Sequence, residues 1–117
     1  MDLIQAWIEC HNSKRNDLLW AWEEVDELVH SKPQKAWEFI LKILEADSSE
    51  TILSNLAAGP LEDLLSEHGE KFIDEVELKA RQNPKFTKLI MGVWQGSMSA
   101  QVWSRIKALQ CKFANNV

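Results

Sequence analysis

Tyrosine is absent from this 117-residue chain, and glycine, proline and cysteine occur only four, three and two times. Cys10 and Cys111 stand alone and far apart. They form neither a disulfide framework nor the paired spacing of a zinc knuckle, which points to a reducing, cytoplasmic setting. The glycines (Gly59, Gly69, Gly92, Gly96) match neither the dinucleotide-binding nor the phosphate-loop pattern. Long hydrophobic runs are missing too. The longest uncharged stretch, LIMGVWQGSMSAQVWS from Leu89 to Ser104, is broken by two glycines and several polar residues, and it is no membrane span. The opening MDLIQAWIECH has an acid at position 2 and no basic region, unlike a secretory signal.

Acidic residues are also lacking, but only from one part of the chain. Residues 1–77 hold all 18 acids and six bases, a net −12, whereas residues 78–117 hold seven bases and no acid. Such segregation has two readings: the segments pack together and neutralise one another, or they form a dipolar surface that steers a charged partner. What is plentiful is tryptophan, with six copies. Hydrophobic residues make up 45% and charged residues 26%, which excludes a disordered chain and suits a single globular domain over residues 1–117.

Helical periodicity recurs every ten to fifteen residues, with almost no strand signal, so the expected class is all-α. Leu3, Ile4, Trp7 and Cys10 mark a first helix; Leu18, Ala21, Trp22, Val25, Leu28 and Val29 mark a second. Ser31-Lys32-Pro33-Gln34 has the form of a capping box with proline in the first turn, opening a helix that buries Trp37, Ile40, Ile43 and Leu44. Asp47-Ser48-Ser49-Glu50 has the same form. Gly59 and Pro60 then pair as a helix stop and a helix start, with Gly69 as another stop. Phe72, Ile73, Val76 and Ala80 share one face. Asn83-Pro84 opens the next helix, carrying Phe86, Leu89, Ile90 and Val93, and Ser99 caps a last one with Val102, Ile106, Leu109 and Phe113. The expectation is eight short helices in successive αα-hairpins, with a curled solenoid-like stack as one arrangement.

The runs DLLWAWEEVDELV, PQKAWEFI, AAGPLEDLL, HGE at 68–70, PKFTKLIMGVW and VWSRI follow one another in this order. Together they resemble a family of small bacterial all-helical proteins built around AAGPLEDLL…HGE…VW. The resemblance spans roughly residues 3–106 and implies kinship, with no activity, cofactor or catalytic residue attached to it. Much of that pattern has a structural explanation. Leu61, Leu64 and Leu65 are spaced for burial, Glu62 and Asp63 suit the positive end of a helix dipole, and His68 suits a last turn. The other reading makes Glu62, Asp63 and His68 a polar contact site.

No catalytic constellation assembles from the sequence. His11, His30 and His68 are too far apart for a paired-histidine metal motif. Glu27 and His30 have the Glu-x-x-His spacing of di-iron bundles, but the motif occurs once where such sites need it twice. Cys10 lies on the apolar stripe of its helix and reads as a buried thiol beside His11, not a nucleophile. No cofactor or metal is therefore expected, and the chain is read as a non-enzyme. Lys79, Arg81, Lys85 and Lys88 form a basic cluster, but the net charge of −5 opposes nucleic-acid binding.

Trp20 is the most informative single residue. At about 100° per residue it falls opposite the stripe of Leu18 and Val25, with Glu23 and Glu27 beside it. An outward tryptophan among acids has the composition of an interaction hot spot; a helix covered on both sides would instead bury it. Trp7, Trp22, Trp37, Trp94 and Trp103 read as core. The expected function is non-catalytic binding of another protein in a bacterial cytoplasm, for instance as an acidic immunity or inhibitor protein against a toxin or nuclease. Trp20, Glu23, Glu27, His30, Glu62, Asp63 and His68 are the candidate contacts, and a homodimer through Trp20 is a further option. The alternatives are a nucleic-acid-binding protein using the basic segment and a small-molecule enzyme.

Overall fold

The computed structural model describes residues 1–114, all of it helix and connecting turns; the last three positions of the expected domain lie outside the described residues. In chain order the α-helices are α1 (Leu3–Ser13), α2 (Leu19–Ser31), α3 (Pro33–Ala46), α4 (Glu50–Leu56), α5 (Glu62–Gln82), α6 (Pro84–Ile90) and α7 (Ala100–Ala114). A short 3-10 turn, Asn16–Leu18, leads into α2, and a π-helical turn, Ala57–Leu61, joins α4 to α5.

Local chemistry explains most of the boundaries. Asp2 caps α1 by accepting from the Gln5 N–H at 2.8 Å. Pro33 occupies the first turn of α3, where its missing N–H costs nothing, and Lys32 before it is driven out of the helical region (φ −138°). The expected cap at Ser31 does not form, because its hydroxyl donates back to the Glu27 carbonyl at 2.8 Å. Neither does Ser49 cap α4 with its side chain. Instead the Asp47 carboxylate accepts from the Ser49 N–H at 2.9 Å, an Asx turn that sets up the helix start. Asn83 and Ser99 act as expected, accepting from the N–H groups of Lys85 and Val102.

The expected stop at Gly59 is absent. Among the described residues only Lys14 and Gly96 have positive φ, and the chain runs from α4 into α5 without a break. In the π turn the Glu62 N–H reaches the Ala57 carbonyl five residues back. Widening the hydrogen-bonded ring lets the helix pass Pro60, which has no N–H to give. Gly69 is no stop either. It lies within α5, one residue past a kink at His68 (φ −133°, ψ 23°). A β-carbon at Gly69 would stand 3.0 Å from a Val102 methyl, so glycine serves the close approach of α5 and α7. These two merges leave six continuous helical stretches among the described residues, not eight.

The buried side chains form one cluster. Trp37 sits at its centre against Phe72 and Phe86, with ring centroids 5.9 and 5.6 Å apart. Helix α5 packs on α2, α3, α6 and α7, while α1 packs on α2, α3 and α4. Such contacts between elements distant in sequence are foreign to a solenoid, in which each unit touches only its neighbours. After α6, residues 91–99 cross the surface without regular structure. They are held by the Glu62 and Ser66 side chains, which accept from the N–H groups of Trp94 and Ser97, and by Gln110, which donates to the carbonyls of Ile90 and Val93. No helix among the described residues is long and apolar enough to cross a membrane.

Candidate functional site

The tryptophans divide in an unexpected way. Trp7 and Trp37 are buried and Trp103 is half-buried, but Trp22 and Trp94, expected in the core, are 48% and 76% exposed. Trp94 lies beyond the end of α6 at Ile90, so no helical period governs it. Trp20 is 42% exposed and Leu19 49%. The first turn of α2 thus presents Leu19, Trp20 and Trp22 to solvent, followed along the same helix by Glu23, Glu24, Asp26 and Glu27. Glu23 and Glu27 are exposed, as is Trp20.

Trp22 is exposed because it walls a cleft rather than entering the core. That cleft, of about 330 Å³, lies between α1, α2 and the π turn. Trp7 and His11 supply its α1 side, Val25, Asp26 and Val29 its α2 side, and Gly59, Pro60 and Asp63 the far wall. Trp7 and His11 are one helical turn apart and pack with their rings tilted by 51° and their centroids 4.1 Å apart. A β-carbon on Gly59 would meet nothing within 4 Å, so the glycine keeps this wall low. π-Helical turns recur at functional sites because they re-aim the residues around them, and this one places Gly59, Pro60 and Asp63 on the cleft.

The electrostatics of the cleft are uneven. Burial pushes the His11 imidazole below its ordinary pKa, against a smaller opposing effect of a hydrogen bond with Asn55. Burial first, then the nearby charges of Asp26, Glu62 and Glu67, push the Asp63 carboxyl up, with His30 opposing. Two ring nitrogens, Nε1 of Trp7 and Nε2 of His11, are buried with no hydrogen-bond partner among the described residues.

The seven expected contact residues do not form one surface. Trp20, Glu23 and Glu27 share the outer face of α2. His30 turns away from Glu27; its Nδ1 lies 2.6 Å from Glu67 Oε1 and its Nε2 lies 3.4 Å from Asp26 Oδ2. Asp63 belongs to the cleft. Glu62 is committed to the Trp94 N–H at 3.2 Å. His68 Nε2 donates to the Val29 carbonyl at 3.0 Å, so it satisfies an open carbonyl near the end of α2 and does not cap its own helix. Among the described residues no group of three His, Cys, Asp or Glu side chains is placed to hold a metal ion.

Sequence reasoning missed Trp7, Trp22 and Asp26 as site residues, and it saw His11 only as the neighbour of Cys10. The i, i+4 spacing of Trp7 and His11 was the available signal. Glu67, 37 positions from His30, left none.

The profile of a family of unknown function, DUF6869, matches residues 9–113 of the chain. No curated protein and no solved structure matches it.

Proposed function

The chain belongs to the DUF6869 family, and for it we propose a non-catalytic role: a protein-binding module that holds a cationic protein partner in a bacterial cytoplasm. The observation that carries this reading is the first turn of α2, where Leu19, Trp20 and Trp22 are all between 42% and 49% exposed beside an acidic run. Exposed leucine and tryptophan side chains on one helical turn have the composition of a binding hot spot, with Trp20 on the outer face and Trp22 toward the cleft. The acids around it suit a basic partner, because complementary charge speeds encounter and suppresses wrong partners. An immunity or inhibitor protein that covers a basic toxin or nuclease is one concrete form of such a module.

Nucleic-acid binding has less support. The basic segment is partly engaged within the chain, Arg105 by Asp74 and Glu77 and Lys85 by Glu45. The test is affinity capture from the source bacterium with the wild type, Trp20→Ala and the double variant Glu23→Lys/Glu27→Lys. One basic protein retained by the wild type and lost from both variants, at unchanged melting temperature, supports the proposal. A retained protein indifferent to both variants rejects this surface. Turnover of a metabolite with no protein retained rejects the class.

A further inference from the structure

We infer that the cleft between α1, α2 and the π turn receives an arginine side chain presented by the partner, an inference that rests on the binding role proposed above. The cleft combines three features seldom found together. Its walls are apolar and aromatic, with Val25, Val29 and Pro60 beside the exposed indole of Trp22. Two carboxylates, Asp26 and Asp63, enter it from opposite sides. Trp7, only 1% exposed, and His11 each keep a buried ring nitrogen without a partner among the described residues.

Each feature selects a property of the occupant. The walls suit an aliphatic stem, and the Trp22 face suits a flat cation stacked upon it. The paired carboxylates suit a group with several N–H donors in one plane, which distinguishes guanidinium from the compact ammonium of lysine. The Trp7 N–H lacks an acceptor but is closed off in the free protein, so a carbonyl of the peptide carrying the arginine reaches it only as the cleft widens on binding. At about 330 Å³ the cleft has room for one side chain and little else.

Charge supports the same occupant. Among the described residues Asp63 has Asp26, Glu62 and Glu67 as charged neighbours and His30 to offset them, so the site carries surplus negative charge. His30 is itself held by Glu67 and Asp26. A cation entering beside Asp63 relieves the repulsion that the fold leaves in place.

The experiment is a titration of the whole protein with N-acetyl-arginine methylamide, and in parallel with the neutral isostere N-acetyl-citrulline methylamide. The readout is the six indole N–H resonances. The expected result is saturable movement of the Trp7 and Trp22 signals by the arginine compound, with a dissociation constant in roughly the millimolar range. Citrulline, and arginine on the Asp63→Asn or Asp26→Asn variants, should bind at least about tenfold more weakly. Equal response to arginine and citrulline, or movement confined to Trp20 and Trp94, overturns the inference. If the probe fails while a protein is still captured through Trp20, the cleft reading falls alone. If the probe binds but no protein partner is captured, the binding role falls and the cleft stands as a site for small guanidinium compounds.

Discussion

The Glu62 carboxylate accepts the backbone N–H of Trp94 at 3.2 Å, fastening the start of α5 to the irregular segment that follows α6. Gly96 sits in the same junction with φ +54°, where a β-carbon would stand 3.0 Å from Ser66 Oγ and 3.2 Å from Glu62 Oε2. Two acids that look alike in the sequence, Glu62 and Asp63, therefore serve different ends, one holding the fold and one lining the cleft.

That division is testable at the loop. Glu62→Ala removes the acceptor and should cost about 1 kcal/mol, the ordinary worth of such a hydrogen bond. Glu62→Gln keeps an acceptor oxygen and should cost less. Gly96→Ala meets both the positive φ and the crowding, and should cost about 1–2 kcal/mol. Amide exchange at Trp94 and Ser97 should accelerate in the alanine variants while amides of α3 keep their protection. Unchanged exchange in Glu62→Ala would show that the carboxylate does not hold the loop.

Proline in the first turn made the starts of α3 and α6 legible from the sequence, joined at α6 by the Asn83 cap, and the 3.6 period gave the buried faces of α3, α5 and α7. The same rules misplaced Gly59 and Pro60, since a stop-and-start pair and a π turn share one local sequence and only tertiary packing, here of the turn on α2 and α3, separates them. Trp22 was misplaced for a related reason. A residue on the edge of an apolar stripe enters the core or walls a cleft according to what faces it, and here Gly59 and Pro60 leave the space open. The Glu27–His30 spacing was a correct statement about a helix face, but it could not foresee Glu67 arriving from α5 to take the imidazole.

Stability around neutral pH should show two opposed histidine effects. His30 has a raised pKa, chiefly from its hydrogen bond with Glu67 and then from the charges of Glu67, Asp26 and Asp63. Its folded value lies above the unfolded one, so its stabilisation is complete below about pH 6.5 and disappears as pH rises through the folded value. His11 is depressed by burial. Its contribution is complete above about pH 6.5 and disappears as pH falls through the folded value. Melting temperatures from about pH 5.5 to about 8 separate the two. His30→Gln should leave a curve that rises with pH, and His11→Gln one that falls. Identical slopes in both variants would contradict the assigned environments.

The segregated charges should matter unequally. Arg105 on α7 forks onto Asp74 and Glu77 of α5, and the guanidinium holds the Glu77 carboxyl below its usual range. Because the Glu77 value is depressed in the fold, its stabilisation is present above the unfolded carboxylate pKa and lost as pH falls. Lys85 meets Glu45 at 3.4 Å with both side chains well exposed, and such a pair contributes about 0–1 kcal/mol. Arg105→Gln should lower the melting temperature clearly and flatten its fall in acid. Lys85→Glu should change it little, and less still at about 1 M salt. A Lys85→Glu variant as damaged as Arg105→Gln would reject this ranking.

Two tryptophans separate folding from binding. Trp37 is 3% exposed and lies between Phe72 and Phe86. Its removal opens a cavity where rings from α3, α5 and α6 meet, and Trp37→Ala should cost ~3–5 kcal/mol. That is a large share of the ~5–15 kcal/mol that holds a domain of this size together, so partial unfolding should follow. Trp20, 42% exposed on the outer face of α2, leaves no closed cavity behind, and Trp20→Ala should cost under about 1 kcal/mol. If Trp20 anchors the partner, its loss should weaken binding by ~2 kcal/mol or more, about thirtyfold. Melting curves of the two variants check the first half before a partner is in hand, and an affinity measurement on Trp20→Ala checks the second. A Trp20→Ala protein that melts like the wild type and binds like it would remove the anchor, and the case for the α2 surface would then rest on Leu19 and Trp22.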